Sequence, residues 1–191
     1  MTIRQFQRTL EQDLAALGAE SPRFDAAQLL RWLSGQDQAW LIAHTGDACP
    51  EDSQVRSVDA LHRLQSGEPL QYLLGEWEFY GLPLAVGPGV LIPRADTETI
   101  VETCLLALAP VPDPAIWDLC SGSGAIALAL ASRRPDARIL AAELSEEALP
   151  YLRQNIAALA PDQVTAVQTD VLTQLPDGLC DLIVSNPPYI T

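Results

Sequence analysis

The sequence predicts an α/β fold in which a parallel sheet follows an N-terminal helical bundle and a β-hairpin. Residues 1–67 carry apolar side chains at helical spacing. Residues 68–95 contain two short strand-like runs around a turn. From residue 115 onward, strand patterns alternate with helix patterns, which is typical of a parallel sheet whose crossover connections are helices.

Four helices are predicted in residues 1–67, each from apolar residues spaced by three and four positions. The first covers residues 2–17, and the second follows the capping pair Ser21-Pro22 and ends at Gly35. Asp37 is expected to cap a short third helix. The fourth begins at Pro50, and its apolar face is predicted to consist of Val55, Val58, Leu61 and Leu64. The bundle either only packs or also docks a partner.

Residues 68–95 are predicted to form a hairpin linker. Two short runs, 76–79 and 82–86, flank Tyr80-Gly81, and Pro83 favours an edge position for the second strand. After this segment, Asp96 is expected to cap a helix that runs from Thr97 to about Leu108.

The alternating region supplies the predicted sheet. Its elements are strands at 115–117, 138–142, 164–168 and 181–184, with helices at 125–132 and 146–159. The carboxyl ends of such strands are where open α/β sheets bind their ligands. The residues that follow each strand are therefore the candidates for ligand binding and catalysis.

Composition limits the function classes. The net charge is −14, with no lysine among the basic residues, and this charge argues against direct nucleic-acid binding. No run reaches the roughly 18 apolar residues of a membrane span, and no signal peptide is visible. The four cysteines are widely separated and the two histidines lack ligand-spaced partners, so we expect free thiols, a cytoplasmic location and no metal site.

The turn after the first strand predicts a nucleoside site. It is the glycine loop Cys120, Ser121, Gly122, Ser123 and Gly124, which can bring a ligand close to the backbone and to the N-terminus of the next helix. Glu143 ends the second strand, where a carboxylate can accept hydrogen bonds from both ribose hydroxyls. Asp170, with Val171 beside it, ends the third strand and can meet the amine of an adenine. The glycine spacing also fits a nicotinamide-dependent oxidoreductase.

The sequence Asn186-Pro187-Pro188-Tyr189 follows the fourth strand and favours a different chemistry. Proline restricts the residue before it and has a fixed φ, so the turn is stiff. The side-chain oxygen of Asn186 and the carbonyl oxygen of Pro187 can both accept hydrogen bonds from one planar NH2 group, on which Tyr189 can stack. This arrangement suits a methyltransferase that acts on an amino or amide nitrogen.

Taken together, these motifs identify a resemblance that covers nearly the whole chain. The chain resembles class I S-adenosylmethionine-dependent methyltransferases, which have a Rossmann-like sheet, and specifically the release factor glutamine methyltransferases (the PrmC/HemK family). The resemblance is carried by residues 75–81, 91–98, 120–127 and 185–190. Asn-Pro-Pro-Tyr alone is shared with nucleic-acid amino-methyltransferases, which therefore remain an alternative.

The resemblance implies roles for individual residues. S-adenosyl-L-methionine would be the cofactor. Its binding site would be lined by Cys120 to Gly124, Glu143 and Val171, with Asn186 next to it. Asn186, Pro187, Pro188 and Tyr189 would hold the glutamine of the Gly-Gly-Gln loop of peptide chain release factors, and Asn186, Pro187 and Tyr189 would be catalytic. This sequence departs from the family pattern at Cys120, Glu143 and Ala95, where glycine, aspartate and proline are usual.

The resemblance also implies a domain organisation. Residues 1–67 would be a substrate-docking domain, 68–95 a hairpin linker and 96–191 the cofactor-binding methyltransferase domain. The family sheet has seven strands in the order 3-2-1-4-5-7-6, and this sequence accounts for the first four. The C-terminal strands are therefore expected to be missing, and an inactive cofactor-binding fragment is a further alternative.

Overall fold

A computed structural model describes residues 1–187 of the chain. Contacts within it define two compact units, one formed by Met1–Leu74 and the other beginning at Gly75. The first unit is entirely helical. Its helices are α1 (Ile3–Ala16), α2 (Pro22–Ser34), α3 (Gln38–Ala43), α4 (Glu51–Gln65) and α5 (Leu70–Leu74).

Local capping explains where these helices begin and end. Thr2 and Gln5 form a reciprocal capping box at the start of α1. The Asp37 carboxylate accepts a hydrogen bond from the backbone N–H of Trp40, as predicted. Gly35 ends α2 in the left-handed conformation that glycine adopts easily. Ser21 precedes α2, but its side chain makes no capping hydrogen bond.

The predicted packed face of α4 is partly wrong. Val55 and Val58 are 71% and 70% exposed, whereas Ser53, Ser57 and Ala60 are buried. The Ser53 hydroxyl donates to the backbone carbonyl of Leu33 at 3.2 Å, near the end of α2. Because small side chains allow two helices to approach closely, α4 turns this small face inward and leaves the two valines outside.

The structure also contains α5, which the sequence analysis did not predict. It follows Pro69, whose carbonyl accepts hydrogen bonds from the backbone N–H groups of Tyr72 and Leu73. Leu73 is buried with the apolar side chains of α1 and α2. A helix of five residues has too short an apolar period to be recognised in the sequence.

The second unit opens with the predicted hairpin, which is confirmed. Its strands are β1 (Glu76–Phe79) and β2 (Leu82–Ala85), paired antiparallel. Tyr80 and Gly81 between them both have positive φ, at 54° and 77°, as a two-residue hairpin turn requires. Phe79 and Leu84 are buried in the core of this unit.

The helix after the hairpin starts differently from the prediction. A single 3₁₀ turn, Ala95–Thr97, leads into α6 (Glu98–Leu108). Asp96 was expected to cap this helix, and that prediction is wrong. Because the chain already turns helically at Ala95, Asp96 lies inside the 3₁₀ turn and is exposed, and Thr97 occupies the capping position.

The predicted parallel sheet is confirmed. It consists of β3 (Ala115–Leu119), β4 (Arg138–Glu143), β5 (Val164–Gln168) and β6 (Leu182–Ser185), in the order β5-β4-β3-β6. All neighbouring pairs are parallel. This order agrees with the one that the resemblance implies for the first four strands.

Two helices follow the strands as crossover connections. They are α7 (Ala125–Arg133), whose residues 125–131 are all buried, and α8 (Leu149–Leu159). The second begins three residues later than expected, because residues 146–148 form a turn in which the N–H of Ala148 donates to Ser145. Among the described residues, none of the helices combines the length and apolar character of a membrane span.

Candidate functional site

A cavity of about 600 Å³ lies at the carboxyl ends of the sheet strands. Parallel strands end at the same edge of a sheet, so residues far apart in sequence meet there. The cavity brings together most of the predicted site residues: Cys120, Ser121, Gly122, Ser123, Glu143, Asp170, Val171, Asn186 and Pro187. Pro188 and Tyr189 lie outside the described residues.

Gly124 is the one described residue of the predicted site that does not line the cavity. It precedes α7 with a φ of +82°, and a Cβ atom placed on it would lie 2.7 Å from Leu152 Cδ1. The backbone conformation favours glycine, and any side chain at this position would also displace Leu152. Gly124 therefore shapes the loop and allows α7 to pack against α8.

The glycine loop is held by short hydrogen bonds. The Ser121 hydroxyl donates to the backbone carbonyl of Asp118 at 2.7 Å, and the Ser121 N–H donates to Ala142 in β4 at 3.0 Å. Cys120 adopts a φ of +60°, which is unusual for a residue other than glycine. Burial raises the pKa of the Cys120 thiol, and the neighbouring carboxylates of Glu143 and Asp118 add to that rise.

Glu143 ends β4 and faces the glycine loop. One carboxylate oxygen accepts from the backbone N–H of Gly122 at 2.7 Å. The other accepts from the N–H groups of Leu144 and Ser145 at 2.9 and 2.8 Å. Since each oxygen can accept more than one hydrogen bond, these contacts leave room for hydroxyl donors from a ligand.

Asp118 is a cavity residue that the sequence analysis did not assign. It is buried, and its Oδ2 accepts from the N–H of Ala127 at 3.2 Å, whereas Oδ1 has no hydrogen-bond partner among residues 1–187. Desolvation raises the pKa of Asp118 to about 7, and the charge of Glu143 adds to the rise. A buried carboxylate oxygen without a partner favours a ligand that brings a cationic donor.

Asp170 follows β5 by two residues and lines the cavity with Val171. Its Oδ1 accepts from the N–H of Leu172 at 3.0 Å, which closes a local turn. The turn places the partly buried Val171 side chain on the cavity wall. The structure thus brings this pair to the same cavity as Glu143.

At the end of β6, the Ser185 hydroxyl donates to the carbonyl of Leu119 at 2.7 Å and ties this strand to the end of β3. Asn186 follows, and its Nδ2 donates to Thr97 Oγ1 at 3.4 Å. Thr97 and Arg94 line the cavity as well. The sequence analysis placed Thr97 at the start of a helix and gave Arg94 no role, so their place on the cavity wall was missed.

A signal for two of the missed residues was present in the sequence. Asp118 is the only charged residue of the otherwise apolar strand β3 and lies two residues before the glycine loop. Thr97 belongs to the Pro93–Glu98 stretch on which the family resemblance partly rests. Within residues 1–187, no group of three histidine, cysteine, aspartate or glutamate side chains is arranged to hold a metal ion.

Comparison with known proteins gives two domain matches. Residues 5–75 match the PrmC N-terminal domain, and residues 98–191 match the methyltransferase small domain. Together these matches cover most of the chain, and the stretch between them contains the hairpin and the 3₁₀ turn.

Individual relatives agree with the domain matches. The chain is 42% identical over 188 residues to the release factor glutamine methyltransferase of Escherichia coli K12, covering 97% of this chain and 67% of that protein. It is 41% identical over 191 residues to the protein of the same name from Moorella thermoacetica, covering 100% of this chain and 68% of that protein. The chain is 45% identical over 184 residues to the Streptomyces coelicolor protein of that name, covering 94% of this chain and 63% of that protein. The chain thus spans about two thirds of the length of these relatives.

Among solved structures, the chain is similar to a precorrin-6Y C5,15-methyltransferase from Geobacter metallireducens. The TM-score is 0.43, with 25% identity over 53% of each chain, a likeness too weak to add to the assignment. The identities above 40% to the curated relatives decide the family. The chain belongs to the release factor glutamine methyltransferase family, and its second unit is a methyltransferase domain whose methyl donor is S-adenosylmethionine.

Proposed function

We propose that this chain supplies the cofactor site and the glutamine-holding turn of a protein-(glutamine-N5) methyltransferase. Its substrate would be the glutamine side chain of the Gly-Gly-Gln loop in peptide chain release factors, so that the enzyme acts in translation termination. The observation that carries the proposal is that Asn186 and Pro187 line the same cavity as Gly122 and Glu143. This juxtaposition supports a role for Asn186 and Pro187 in presenting an NH2 group to a cofactor bound in the same cavity.

The cavity residues fit S-adenosylmethionine. Glu143 at the end of β4 would accept hydrogen bonds from the ribose hydroxyls, and Asp170 with Val171 would meet the adenine. The open space beside Gly122 lets a ligand approach the loop backbone. The unpartnered Oδ1 of Asp118 would accept from the cationic amine of the methionine part.

When bound, the cofactor supplies a methyl group on a positively charged sulfur, which departs as a neutral thioether. The residues of the chain have to orient a poor nucleophile, because the lone pair of an amide nitrogen is delocalised into its carbonyl. Asn186 Oδ1 and the Pro187 carbonyl would accept hydrogen bonds from the two N–H groups of the glutamine amide and favour positive charge on that nitrogen. Holding the nitrogen in line with the carbon–sulfur bond supplies much of the rate enhancement.

The bonds and protons of this transfer balance without a strong base on the protein. A nitrogen–carbon bond forms as the carbon–sulfur bond breaks, and the nitrogen then carries a positive charge. Its proton is acidic at that stage and leaves to water. Neither Asn186 nor Pro187 needs to take up a proton, which is consistent with two neutral amide oxygens as the groups that face the substrate.

Residues 1–67 would dock the release factor, and residues 96–191 would hold the cofactor. A release factor is a cytoplasmic partner, and a net charge of −14 argues against nucleic acid as the substrate.

The test is transfer of labelled methyl from S-adenosylmethionine to a release factor. Asn186→Ala should lose at least about 100-fold in turnover, because the amide acceptor is gone. It should bind S-adenosylhomocysteine within about threefold of the parent chain, which calorimetry measures. Gln154→Ala, which removes an exposed amide on α8, is the matched control.

Two results would contradict the proposal. One is full activity in Asn186→Ala. The other is equal labelling of a release factor whose Gly-Gly-Gln glutamine has been replaced by alanine. Labelling of DNA or RNA in place of the release factor would favour a nucleic-acid amino-methyltransferase.

A further inference from the structure

We infer that Thr97 is a positioning residue that holds the Asn186 side-chain amide by its nitrogen. The Nδ2 atom of Asn186 donates to Thr97 Oγ1 at 3.4 Å, and both residues line the cavity. The inference rests on the proposed function, because it explains how the residue proposed to hold glutamine is itself held. Thr97 touches neither the cofactor nor the reacting atoms in this assignment; it acts through Asn186.

The position of Thr97 in its helix supports this role. It is the residue before α6, where a threonine oxygen ordinarily accepts a hydrogen bond from a backbone N–H of the first turn. Thr97 makes no such bond, and its φ and ψ of −67° and −21° are already helical. The residue is 9% exposed, and its hydroxyl oxygen accepts from Asn186 instead.

This contact matters because an amide group has two different sides. Asn186 carries two donors on nitrogen and an acceptor on oxygen, and a half-turn about the last side-chain bond exchanges them. With Nδ2 held by Thr97, Oδ1 lies on the opposite side and can accept from the glutamine NH2. In the reversed orientation, two NH2 groups would face each other and no hydrogen bond would form.

The hairpin in turn holds Thr97 in place. The carboxylate of Glu98, the next residue, accepts from the backbone N–H of Tyr80 at 3.0 Å. The backbone N–H of Thr97 donates to the carbonyl of Arg94 at 3.0 Å within the 3₁₀ turn. The start of α6 is therefore anchored to the hairpin turn, and this anchor gives the hairpin a role in presenting Asn186.

The first test compares two substitutions at one position. Thr97→Val keeps the shape of the side chain and removes its oxygen, so kcat for methyl transfer to a release factor should fall about tenfold. The KM for S-adenosylmethionine and the Kd for S-adenosylhomocysteine should stay within about twofold. Thr97→Ser restores the oxygen and should recover most of the rate.

Thr103→Val is the matched control. It removes a threonine hydroxyl from the exposed side of α6, the helix that begins directly after Thr97. That hydroxyl donates to the carbonyl of Thr99. This variant should keep the parental kcat. A general effect of hydroxyl loss on α6 would instead lower the rate in both valine variants equally and would overturn the inference.

The second test does not depend on turnover. The side-chain NH2 of Asn186 gives two proton signals in a ¹⁵N-resolved NMR spectrum, identified by their loss in Asn186→Ala. In Thr97→Val these protons should exchange with water several-fold faster than in the parent chain and in Thr97→Ser. Unchanged signals in Thr97→Val, or changed signals with an unchanged kcat in an active enzyme, would overturn the inference.

The two proposals can fail separately. A parent chain that methylates no release factor, while Thr97→Val still speeds exchange at Asn186, rejects the proposed function and leaves the Thr97–Asn186 contact supported. A fully active parent chain in which Thr97→Val behaves like the control rejects the positioning role alone.

Discussion

The Glu143 carboxylate accepts a hydrogen bond from the backbone N–H of Gly122 at 2.7 Å and so joins the end of β4 to the glycine loop after β3. Its second oxygen holds the N–H groups of Leu144 and Ser145. One side chain therefore organises two of the segments proposed to hold the nucleoside. The Glu143 side chain spans the distance between these two segments.

Shortening or removing that side chain should weaken the cofactor site. In Glu143→Asp, the side chain is one methylene shorter. The carboxylate should lose the hydrogen bond from the Gly122 N–H but keep the proposed hydrogen bonds from the ribose, so the Kd for S-adenosylhomocysteine should rise about three- to tenfold. Glu143→Ala loses the Gly122 hydrogen bond and the ribose contacts, and should bind S-adenosylhomocysteine at least about 100-fold more weakly. Calorimetric titration measures both, with the exposed Glu146→Gln as a control for lost charge. Equal affinities in all four chains would contradict this role for Glu143.

Asn155 is expected to be the most costly polar residue to replace in the second unit. Its buried side-chain amide accepts from the N–H of Ala85 at 2.7 Å and donates to the carbonyls of Ala85 and Ser123 at 3.1 and 2.9 Å. It thus joins the hairpin, α8 and the glycine loop. Asn155→Leu has a similar volume but leaves these backbone groups unpaired, and should lower the free energy of unfolding by about 3 kcal/mol.

Urea unfolding measures this change, and Gln154→Leu on the exposed side of α8 serves as its control. Because Ser123 belongs to the glycine loop, Asn155→Leu should also weaken S-adenosylhomocysteine binding. A loss of stability no larger than that of the control would show that water satisfies the freed groups.

The stability of the chain should depend on the protonation of Asp118. Its ordinary pKa of 3.8 is raised to about 7 by burial. Between about pH 4 and 7, the folded state therefore holds a proton that the unfolded chain has released, and stability falls as the pH rises. The contribution is complete below about pH 4 and is lost as the pH passes about 7.

Asp118→Asn removes this titration. Relative to the parent chain, its melting temperature should increase progressively from pH 5 to pH 8, while the exposed Asp162→Asn shows no such trend. At pH 8 the same variant should bind S-adenosylhomocysteine more weakly, because it lacks a negative partner for the cationic amine. A melting-point difference that is independent of pH would contradict the prediction.

Cys120 stands in a backbone conformation that glycine adopts more easily, with a φ of +60°. Cys120→Gly relieves that strain but adds freedom to the unfolded chain, so the free energy of unfolding should change by less than about 1 kcal/mol. Cys120→Val places a β-branched side chain at positive φ and should cost about 2 kcal/mol or more.

Thermal unfolding and cofactor titration measure both variants at Cys120, with Cys180→Val as a control at a partly exposed position of ordinary φ. We expect Cys120→Gly to bind S-adenosylhomocysteine at least as tightly as the parent chain. Weaker binding would mean that the thiol itself contributes to the site.

Elements with a clear period were predictable from the sequence, and elements set by packing were not. The strand 164–168 was predicted with its observed bounds, because an apolar run ended by polar residues is a local signal. Val55 and Val58 were placed on the wrong face of α4, because the choice between a valine face and a serine–alanine face depends on how closely α2 approaches. The Asp96 cap failed for a similar reason, since a 3₁₀ turn one residue earlier took over the start of α6.

By itself, the sequence determined the parallel sheet, the glycine loop and the position of Asn186 and Pro187 after the fourth strand, because each depends on contiguous residues with local backbone preferences. Only the tertiary structure decided which side chains meet at the cavity. The buried, unpartnered oxygen of Asp118, the link from Glu143 to Gly122 and the contact of Thr97 with Asn186 all join residues from different elements. Their distances and burial arise when the strands align side by side, and no pattern along the chain encodes them directly.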